Sequence, residues 1–294
     1  MDMPAWYARP VHDLDQHPGL VPVLVRMLEG RVGSTAMMRL LGTSPEIAFE
    51  RKYPFESSYL TYLARLVGQL ALRPSAPGVM LEIVYQTDER IGPLPFDAHI
   101  IEPLALAHRS LAAVWAEFSA LLAERSPVPV RYYAEKYWGS AQQLIEAGLR
   151  PVVIDLVRDP RDVIASVRAF NRRRSNRLFG RPGAADDSEH FRQLVMGMAL
   201  RFEQFGQALP VPTAKVRYED FVTDMSSQAK ALGTLLDLHL DPFAVASDTT
   251  MLDEHKTSAS IESSIGRWKE ELLASEVGYI ERRLAPFMAQ YGYE

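Results

Sequence analysis

Residues 21–41 of this 294-residue chain read VPVLVRMLEGRVGSTAMMRLL, which predicts a strand, a tight loop and a helix in immediate succession. Val21–Leu28 is apolar and rich in β-branched residues, whereas Ser34–Leu41 has its apolar residues at helical spacing. The loop between them, Glu29–Thr35, contains two glycines and two hydroxyl side chains. Backbone N–H groups and the helix dipole converge on any anion at such a junction. The stretch therefore predicts an α/β protein with an anion-binding loop.

The loop differs from a Walker A phosphate-binding loop. That motif requires a lysine immediately before the hydroxyl residue, and Gly33 occupies this place here. The cation of the loop is Arg31, on the other side of Gly33 and Val32. An anion cradle and a plain strand-to-helix turn both remain open interpretations of these residues.

A second polar junction follows a strongly apolar strand. Pro151–Val157 (PVVIDLV) is typical of a central parallel strand that is covered on both faces. The dipeptide Asp159-Pro160 then predicts the start of a helix over Arg161–Asn171, because a polar N-cap precedes a proline at the first helical position. Arg158 ends the strand, and Ser166 lies roughly 10 Å into the helix. A guanidinium and a hydroxyl placed in this way can hold one phosphate between them.

The other periodicities complete an alternation of helices and strands. They predict a single α/β domain over residues 1–294, with a central parallel sheet flanked by helices. The predicted segments are helices over Ser57–Leu72 and Pro103–Leu122, a late strand at Lys215–Tyr218 followed by a helix to about Leu236, and a helix over Glu276–Tyr291 interrupted at Pro286. Two irregular segments are predicted at Arg172–Asp187 and Pro242–Ser264.

Composition excludes several classes of protein. The chain is 47% hydrophobic and 23% charged, which is typical of a globular protein, and its net charge of −5 argues against broad contact with nucleic acid. It contains no cysteine, which excludes disulfides, thiolate metal sites and a cysteine nucleophile. No secretory signal and no apolar run of membrane-spanning length is apparent, so we expect a soluble, cytoplasmic protein.

One segment is strongly basic although the chain as a whole has a negative net charge. Residues 158–181 contain eight arginines and two aspartates, a local charge of +6. Any anion that this protein binds is therefore expected to be held locally. The arginines of Arg172–Arg181 fit a lid, a receptor for an acidic acceptor or a solvated loop equally well.

The two junctions together resemble the sulfotransferases that use 3′-phosphoadenosine 5′-phosphosulfate (PAPS). The resemblance rests on R-x-G-[ST]-[ST] at Arg31–Thr35 and R-D-P-R-D-x-x-x-S at Arg158–Ser166. It implies that the first loop holds the 5′-phosphosulfate, through Arg31, Val32, Gly33, Ser34 and Thr35. It also implies that Arg158 and Ser166 hold the 3′-phosphate, and that the fold is similar to that of P-loop nucleotide kinases.

Three further segments extend the resemblance along the chain. Ala134–Lys136 is similar to an E-K element, Val216–Phe221 to an R-Y-E-D-L junction, and Gly266–Lys269 to the G-x-W-K end of the C-terminal signature. The basic pair upstream of that signature is replaced by Ile261 and Glu262. The resemblance implies C-terminal cofactor contacts from Gly266, Arg267 and Trp268, with His255 and Lys256 as further candidates.

Sulfuryl transfer requires cations on the leaving phosphate and a base for the acceptor proton, and it needs no metal. Arg31 and Lys136 are the candidates for the cations. The favoured base is Glu56, which is expected to open the helix after Pro54; Glu50 and His99 are the alternatives. The aromatic residues Trp115, Phe118, Tyr132, Tyr133 and Trp138 fit either an acceptor pocket or the core.

The resemblance implies PAPS as cosubstrate and a small-molecule, carbohydrate or lipid acceptor, without nucleic acid; a homodimer is compatible with the sequence. Two alternatives remain. Val152–Asp155 is similar to a Walker B strand ending in a magnesium-binding aspartate, which would indicate a nucleotide kinase. A catalytically silent nucleotide-binding module is the other.

Overall fold

The structure is a computed structural model that describes residues 19–71, 101–174, 179–181, 183–205, 208–247, 257 and 262–293. Its centre is one sheet of five parallel strands in the order β2-β3-β1-β4-β5. The strands are β1 Val21–Arg26, β2 Ile47–Ala48, β3 Tyr132–Tyr137, β4 Val152–Val157 and β5 Thr213–Arg217. The prediction of a parallel α/β sheet is confirmed.

Helices cover both faces of the sheet. They are α1 Ser34–Leu41, α2 Tyr59–Gly68, α3 Pro103–Arg125, α4 Ala141–Glu146, α5 Pro160–Arg174, α6 Asp187–Phe205, α7 Tyr218–Thr223, α8 Met225–Leu236, α9 Pro242–Ser247, α10 Trp268–Glu271 and α11 Ala274–Tyr291. Short 3₁₀ turns occur at Gln69–Ala71 and Glu262–Ser264. None of the helices in these described ranges combines the length and the apolar character needed to cross a membrane.

The central strands are fully buried because apolar residues line both of their faces. In β1, Val23 and Val25 pack into one hydrophobic cluster together with α1, α5, α6, α8 and α11. Leu24 points to the opposite face and packs with α2, α3 and α4. This alternation is the two-residue period of a strand, and here both faces of the strand meet a helix layer.

Several predicted boundaries differ from those of the structure. The segment Arg172–Asp187, predicted as a loop, contributes its first residues to α5, which continues to Arg174. The helix predicted after β5 divides into α7 and α8, because Asp224 leaves helical geometry and its carboxylate caps α8 by accepting from Ser227 N–H. The segment predicted as irregular from residue 242 begins with α9.

Two other predicted features, the interruption of the last helix at Pro286 and a helix start at Asp159-Pro160, are confirmed. Helix α11 loses helical geometry at Leu284, two residues before Pro286, as the missing proline N–H requires. The helix predicted at Asp159-Pro160 starts at Pro160, with Asp159 Oδ1 accepting from Arg161 N–H at 2.8 Å. That residues 1–294 form one domain stays a prediction.

Parallel strands place all their carboxyl ends at one edge of the sheet, where ligands of open α/β sheets bind. Since β1 lies between β3 and β4, the loop after β1, the junction after β4 and the end of β3 are neighbours at this edge.

Candidate active site

The loop after β1 has the backbone geometry of an anion cradle. Gly33 precedes α1 with φ 89°, and Arg31 also has a positive φ of 70°. No side chain caps α1, and helix geometry leaves the N–H groups of its first turn without intrahelical acceptors. A Cβ on Gly33 would lie 2.5 Å from Cδ2 of Tyr218, so glycine is also required sterically.

Lys136 approaches this loop from β3. Its side chain is only 4% exposed, and its ammonium donates to Thr35 Oγ1 at 3.1 Å and to the Pro54 carbonyl at 2.7 Å. Burial lowers the pKa of Lys136 to about 8; the neighbouring Arg31 lowers it as well, while Glu56 opposes the shift. A buried lysine beside the first turn of α1 provides positive charge at the mouth of the loop.

Arg158 joins the two predicted motifs directly. Its Nη1 donates to the Arg31 carbonyl at 2.8 Å, its Nη2 donates to the Ser264 carbonyl at 2.6 Å, and the guanidinium lies 4.3 Å from the ring centre of Tyr218. Its Nε is buried and has no hydrogen-bond partner within the described residues. A buried, unsatisfied N–H is costly, so this donor fits an anionic ligand.

A cluster of donors surrounds the hydroxyl of Thr257. Ser166 Oγ lies 3.1 Å from Thr257 Oγ1, and Arg31 donates from Nε to Ser166 at 3.4 Å and from Nη2 to Thr257 at 3.4 Å. Arg267 donates from Nη1 to the same Thr257 Oγ1 at 3.4 Å. Arg31 thus contacts Arg158 through its backbone and Ser166 through its side chain, and it lies between the two predicted phosphate positions.

The C-terminal turn of Gly266–Trp268 lies against the second motif. Gly266 N–H and Trp268 N–H both donate to the carboxylate of Asp162, and the Trp268 ring lies 4.0 Å from the guanidinium carbon of Arg161. All three residues of the turn are therefore brought to the site. His255 and Lys256 lie outside the described residues.

Of the three candidate bases, Glu56 lies beside Lys136. Its carboxylate is 69% exposed and lies 3.8 Å from Lys136 Nζ. The prediction that Glu56 opens the next helix is wrong, since α2 begins only at Tyr59. Glu50 instead accepts from the Tyr59 hydroxyl at 3.1 Å and from Lys52 N–H. His99 lies outside the described residues.

The aromatic residues belong mainly to the core. Tyr132 and Tyr133 are buried in β3, and Trp115 stacks on Phe118 at 5.3 Å in the hydrophobic cluster under α3. Trp138 is the exception, since it is exposed just beyond the end of β3, with Arg201 4.9 Å from its ring centre. The core interpretation is correct for the other four.

The Walker B interpretation of Val152–Asp155 does not fit the structure. Asp155 lies inside β4 and is buried, and its two carboxylate oxygens accept from Arg26 Nε at 2.7 Å and Nη2 at 2.9 Å. Both oxygens are therefore engaged by a neighbouring strand. Within the described ranges, no group of three or more histidine, aspartate or glutamate side chains is arranged to hold a metal ion.

Four residues that contribute to the site were not identified from the sequence. Thr257 and Ser264 contact the motif arginines, but no local pattern marks them. Glu135 and Asp162 lie inside the recognised motifs, directly beside Lys136 and Arg161 respectively. An acid adjacent to a motif cation was the signal that the sequence offered, and the structure shows that both acids are buried.

The model of the Sulfotransferase family matches residues 29–242 of this chain. No curated protein sequence matches it. Among solved structures, the sulfotransferase domain from the curacin biosynthetic pathway has a TM-score of 0.51 and 17% identity, covering 91% of this chain and 98% of that domain. The likeness shows the shared fold.

Two other solved structures are more distant. Sulfotransferase STF9 from Mycobacterium avium has a TM-score of 0.49 and 15% identity, covering 97% of this chain and 80% of its own. Retinol dehydratase in complex with androsterone and the inactive cofactor PAP has a TM-score of 0.44 and 14% identity. The match covers 95% of this chain and 83% of the retinol dehydratase chain.

Proposed function

Because the chain belongs to the sulfotransferase family, we propose that it transfers a sulfuryl group from PAPS to a hydroxyl or amine acceptor, by in-line displacement with a general base. Family membership supports sulfuryl transfer in general. The proposal that PAPS is the cosubstrate rests on one observation: the two motifs are in direct contact. Arg158 Nη1 lies 2.8 Å from the Arg31 carbonyl, although the two residues are 127 positions apart.

The residues present fit a nucleotide with two anionic ends. The first turn of α1, Thr35 and Lys136 form one donor group, and Arg158, Ser166 and Arg267 form another. Arg31 lies between them. We assign the 5′-phosphosulfate to the first group and the 3′-phosphate to the second, as the resemblance of the two motifs to those of PAPS-dependent sulfotransferases implies.

When bound, PAPS supplies the sulfuryl group, and 3′-phosphoadenosine 5′-phosphate (PAP) is the leaving group. Lys136 and Arg31 place positive charge where the leaving phosphate gains negative charge. Glu56 accepts the proton that the acceptor oxygen or nitrogen loses as its bond to sulfur forms. Lys136 keeps the exposed carboxylate of Glu56 close to the loop through their 3.8 Å ion pair.

Nucleotide binding tests the cosubstrate. PAP at a hundredfold excess over its Kd should stabilise the protein by about 2.7 kcal/mol, and AMP at the same concentration by far less. Arg158→Ala and Ser166→Ala should abolish the difference between PAP and AMP in thermal unfolding. Equal stabilisation of the unaltered protein by PAP and AMP would refute the 3′-phosphate assignment. Stabilisation by a nucleotide that disappears when EDTA is added would favour the kinase alternative.

The chain offers a matched control for these variants. Arg192 donates to Ser188 Oγ at 2.9 Å on the exposed surface of α6. Arg192→Ala and Ser188→Ala remove the same chemical groups from a contact outside the site. Both should leave the preference for PAP unchanged.

The base is tested with a mixture of acceptors. Sugars, phenols, lipid head groups and tyrosine peptides are incubated with PAPS, and sulfated products are measured by mass spectrometry. Glu56→Gln should slow product formation at least about 100-fold, which is the usual contribution of a general base. Glu50→Gln is the matched control, and a similar loss in Glu50→Gln or in His99→Ala instead would transfer the role to that residue.

A further inference from the structure

Asp162 is a buried acid that the proposed mechanism does not use. It lies in the first turn of α5 and is only 1% exposed. Its Oδ2 accepts from Gly266 N–H at 2.7 Å, and its Oδ1 accepts from Trp268 N–H at 3.1 Å. Burial raises its pKa, whereas the two N–H donors and Arg158 oppose this shift. One carboxylate thus holds the backbone on both sides of Arg267.

Arg267 extends from this fixed turn into the donor cluster. Its Nε and Nη2 contact Glu271 Oε1 at 2.7 and 2.6 Å, which orients the guanidinium. Its Nη1 donates to the Thr257 carbonyl at 3.0 Å and to Thr257 Oγ1 at 3.4 Å. Arg31 and Ser166 reach the same hydroxyl, so Arg267 is a further cation at this point.

The remaining residues of the second motif also support the turn. Asp159 accepts from Arg161 Nη2 at 2.8 Å, and the guanidinium of Arg161 lies against the Trp268 ring. Gly266 has φ 73°, a conformation in which other side chains are strained. Asp159, Arg161 and Asp162 therefore act on the turn, while Ser166 belongs to the donor cluster and Arg158 donates to the backbone carbonyl of Arg31.

We propose that Asp162 is a positioning residue of the anion site: it fixes the turn at Gly266–Trp268 so that Arg267 adds its guanidinium to the cluster of Arg31, Arg158 and Ser166. The inference rests on the proposed function, because it takes the 3′-phosphate of the nucleotide as the anion. Asp162 would thus act on the anion through Arg267, without touching the anion itself.

Calorimetric titration with PAP and with AMP tests the proposal, since AMP lacks the 3′-phosphate. Asp162→Asn preserves the shape but cannot accept from both N–H groups. It should raise the Kd of PAP at least about tenfold, the value of a hydrogen bond to a charged group, and leave the Kd of AMP unchanged. Arg267→Gln should have the same selective effect.

The double variant separates positioning from general damage. Because Asp162 acts through Arg267, Asp162→Asn should cause no further loss of PAP affinity in the Arg267→Gln background. Asp224→Asn is the matched control, since Asp224 also accepts from a backbone N–H but caps α8 on the surface. It should leave the affinity for both nucleotides unchanged.

Each other outcome has a defined meaning. Equal losses of PAP and AMP affinity in Asp162→Asn, or no loss of PAP affinity, would overturn the positioning role. If the unaltered protein does not distinguish PAP from AMP, the proposed function fails and this inference fails with it. If Asp162→Asn does not fold, Asp162→Ser replaces it: the smaller side chain also cannot accept from both N–H groups, so it should weaken PAP selectively, and an unchanged Kd for PAP would overturn the proposal.

Discussion

Gly33 is the residue at which the backbone turns from the loop into α1. Its φ of 89° favours glycine, and the ring of Tyr218 fills the space that a side chain would need. Tyr218 in turn packs on the Arg158 guanidinium. A change at Gly33 therefore acts on both motifs at once.

We expect Gly33→Ala to destabilise the protein by more than the about 1–2 kcal/mol that a left-handed conformation costs a residue with a side chain. It should also weaken PAP binding, because Tyr218 must move away from its position on Arg158. Gly148→Ala is the control: Gly148 has the same φ of 89°, but nothing lies within 4 Å of its Cβ position. Urea unfolding and calorimetry measure both effects, and equal effects of the two substitutions would contradict the steric account.

The lowered pKa of Lys136 should make the free energy of unfolding depend on pH. Its pKa is about 8 in the folded protein, whereas a free lysine has a pKa of 10.5. The unfolded chain therefore binds more protons between these values, so the free energy of unfolding gains a contribution from Lys136 as pH rises. This contribution is complete above the unfolded pKa and is lost as pH falls through the folded pKa.

The Lys136→Met variant isolates this contribution. Between pH 7.5 and 9.5, the free energy of unfolding of the unaltered protein should rise relative to that of Lys136→Met in urea titrations. Lys136→Arg, which stays charged throughout, should show no such rise. The same pH dependence in the unaltered protein and in Lys136→Met would show that the lysine is charged in both states.

At the scale of elements, Glu135 fixes the start of α2 from another part of the chain. Its carboxylate accepts from Leu60 N–H at 2.8 Å, from Thr61 N–H at 2.9 Å and from the Thr61 hydroxyl at 2.6 Å. The N-cap residue Ser58 makes no side-chain cap and donates instead to the Lys136 carbonyl at 3.0 Å. The two adjacent residues of β3 thus hold the segment that carries Glu56.

Glu135→Gln should destabilise the protein by about 1–3 kcal/mol, because the amide presents a donor to one of the N–H groups that the carboxylate accepts. Hydrogen exchange should increase at the amides of Leu60 and Thr61. Thr61→Val removes only one of the three contacts and should cost less. Unchanged exchange at these two amides in Glu135→Gln would disprove the capping role.

The bounds of helices were harder to predict from the sequence than the presence of the helices. Helix α1 was predicted at its observed bounds, because its apolar spacing and the preceding glycine are local signals. Helix α2 starts two residues later than predicted, since its cap comes from β3. A cap supplied over 75 positions leaves no mark in the local sequence.

At the scale of the whole molecule, the acidic remainder of the chain balances the arginine-rich segment. Arg168 pairs with Glu276, with Nη1 2.9 Å from Oε2, and Arg172 lies 3.3 Å from Glu271. Arg181 lies 2.7 Å from Glu29 at the start of the anion loop. Further pairs join Arg161 to Asp159 and to Glu281.

These ion pairs show that much of the positive charge of residues 158–181 is neutralised by acidic side chains within the protein. Individual exposed pairs contribute little to stability, about 0–1 kcal/mol each. Their geometry nevertheless connects α5 to α10 and α11, the helices beside the turn that carries Arg267. Of the described arginines in this segment, Arg158 alone offers an unsatisfied buried N–H.

The sequence by itself determined the parallel α/β architecture, the positions of the two polar strand-to-helix junctions and most residues of the candidate site, because each depends on neighbours within a few positions. Only the tertiary structure decided that Arg31 contacts Ser166, that Arg26 occupies both oxygens of Asp155 and that Asp162 holds the turn at Gly266. These contacts join residues more than 100 positions apart. Their geometry follows from strand order and helix packing, which set the distance between side chains that no local pattern relates.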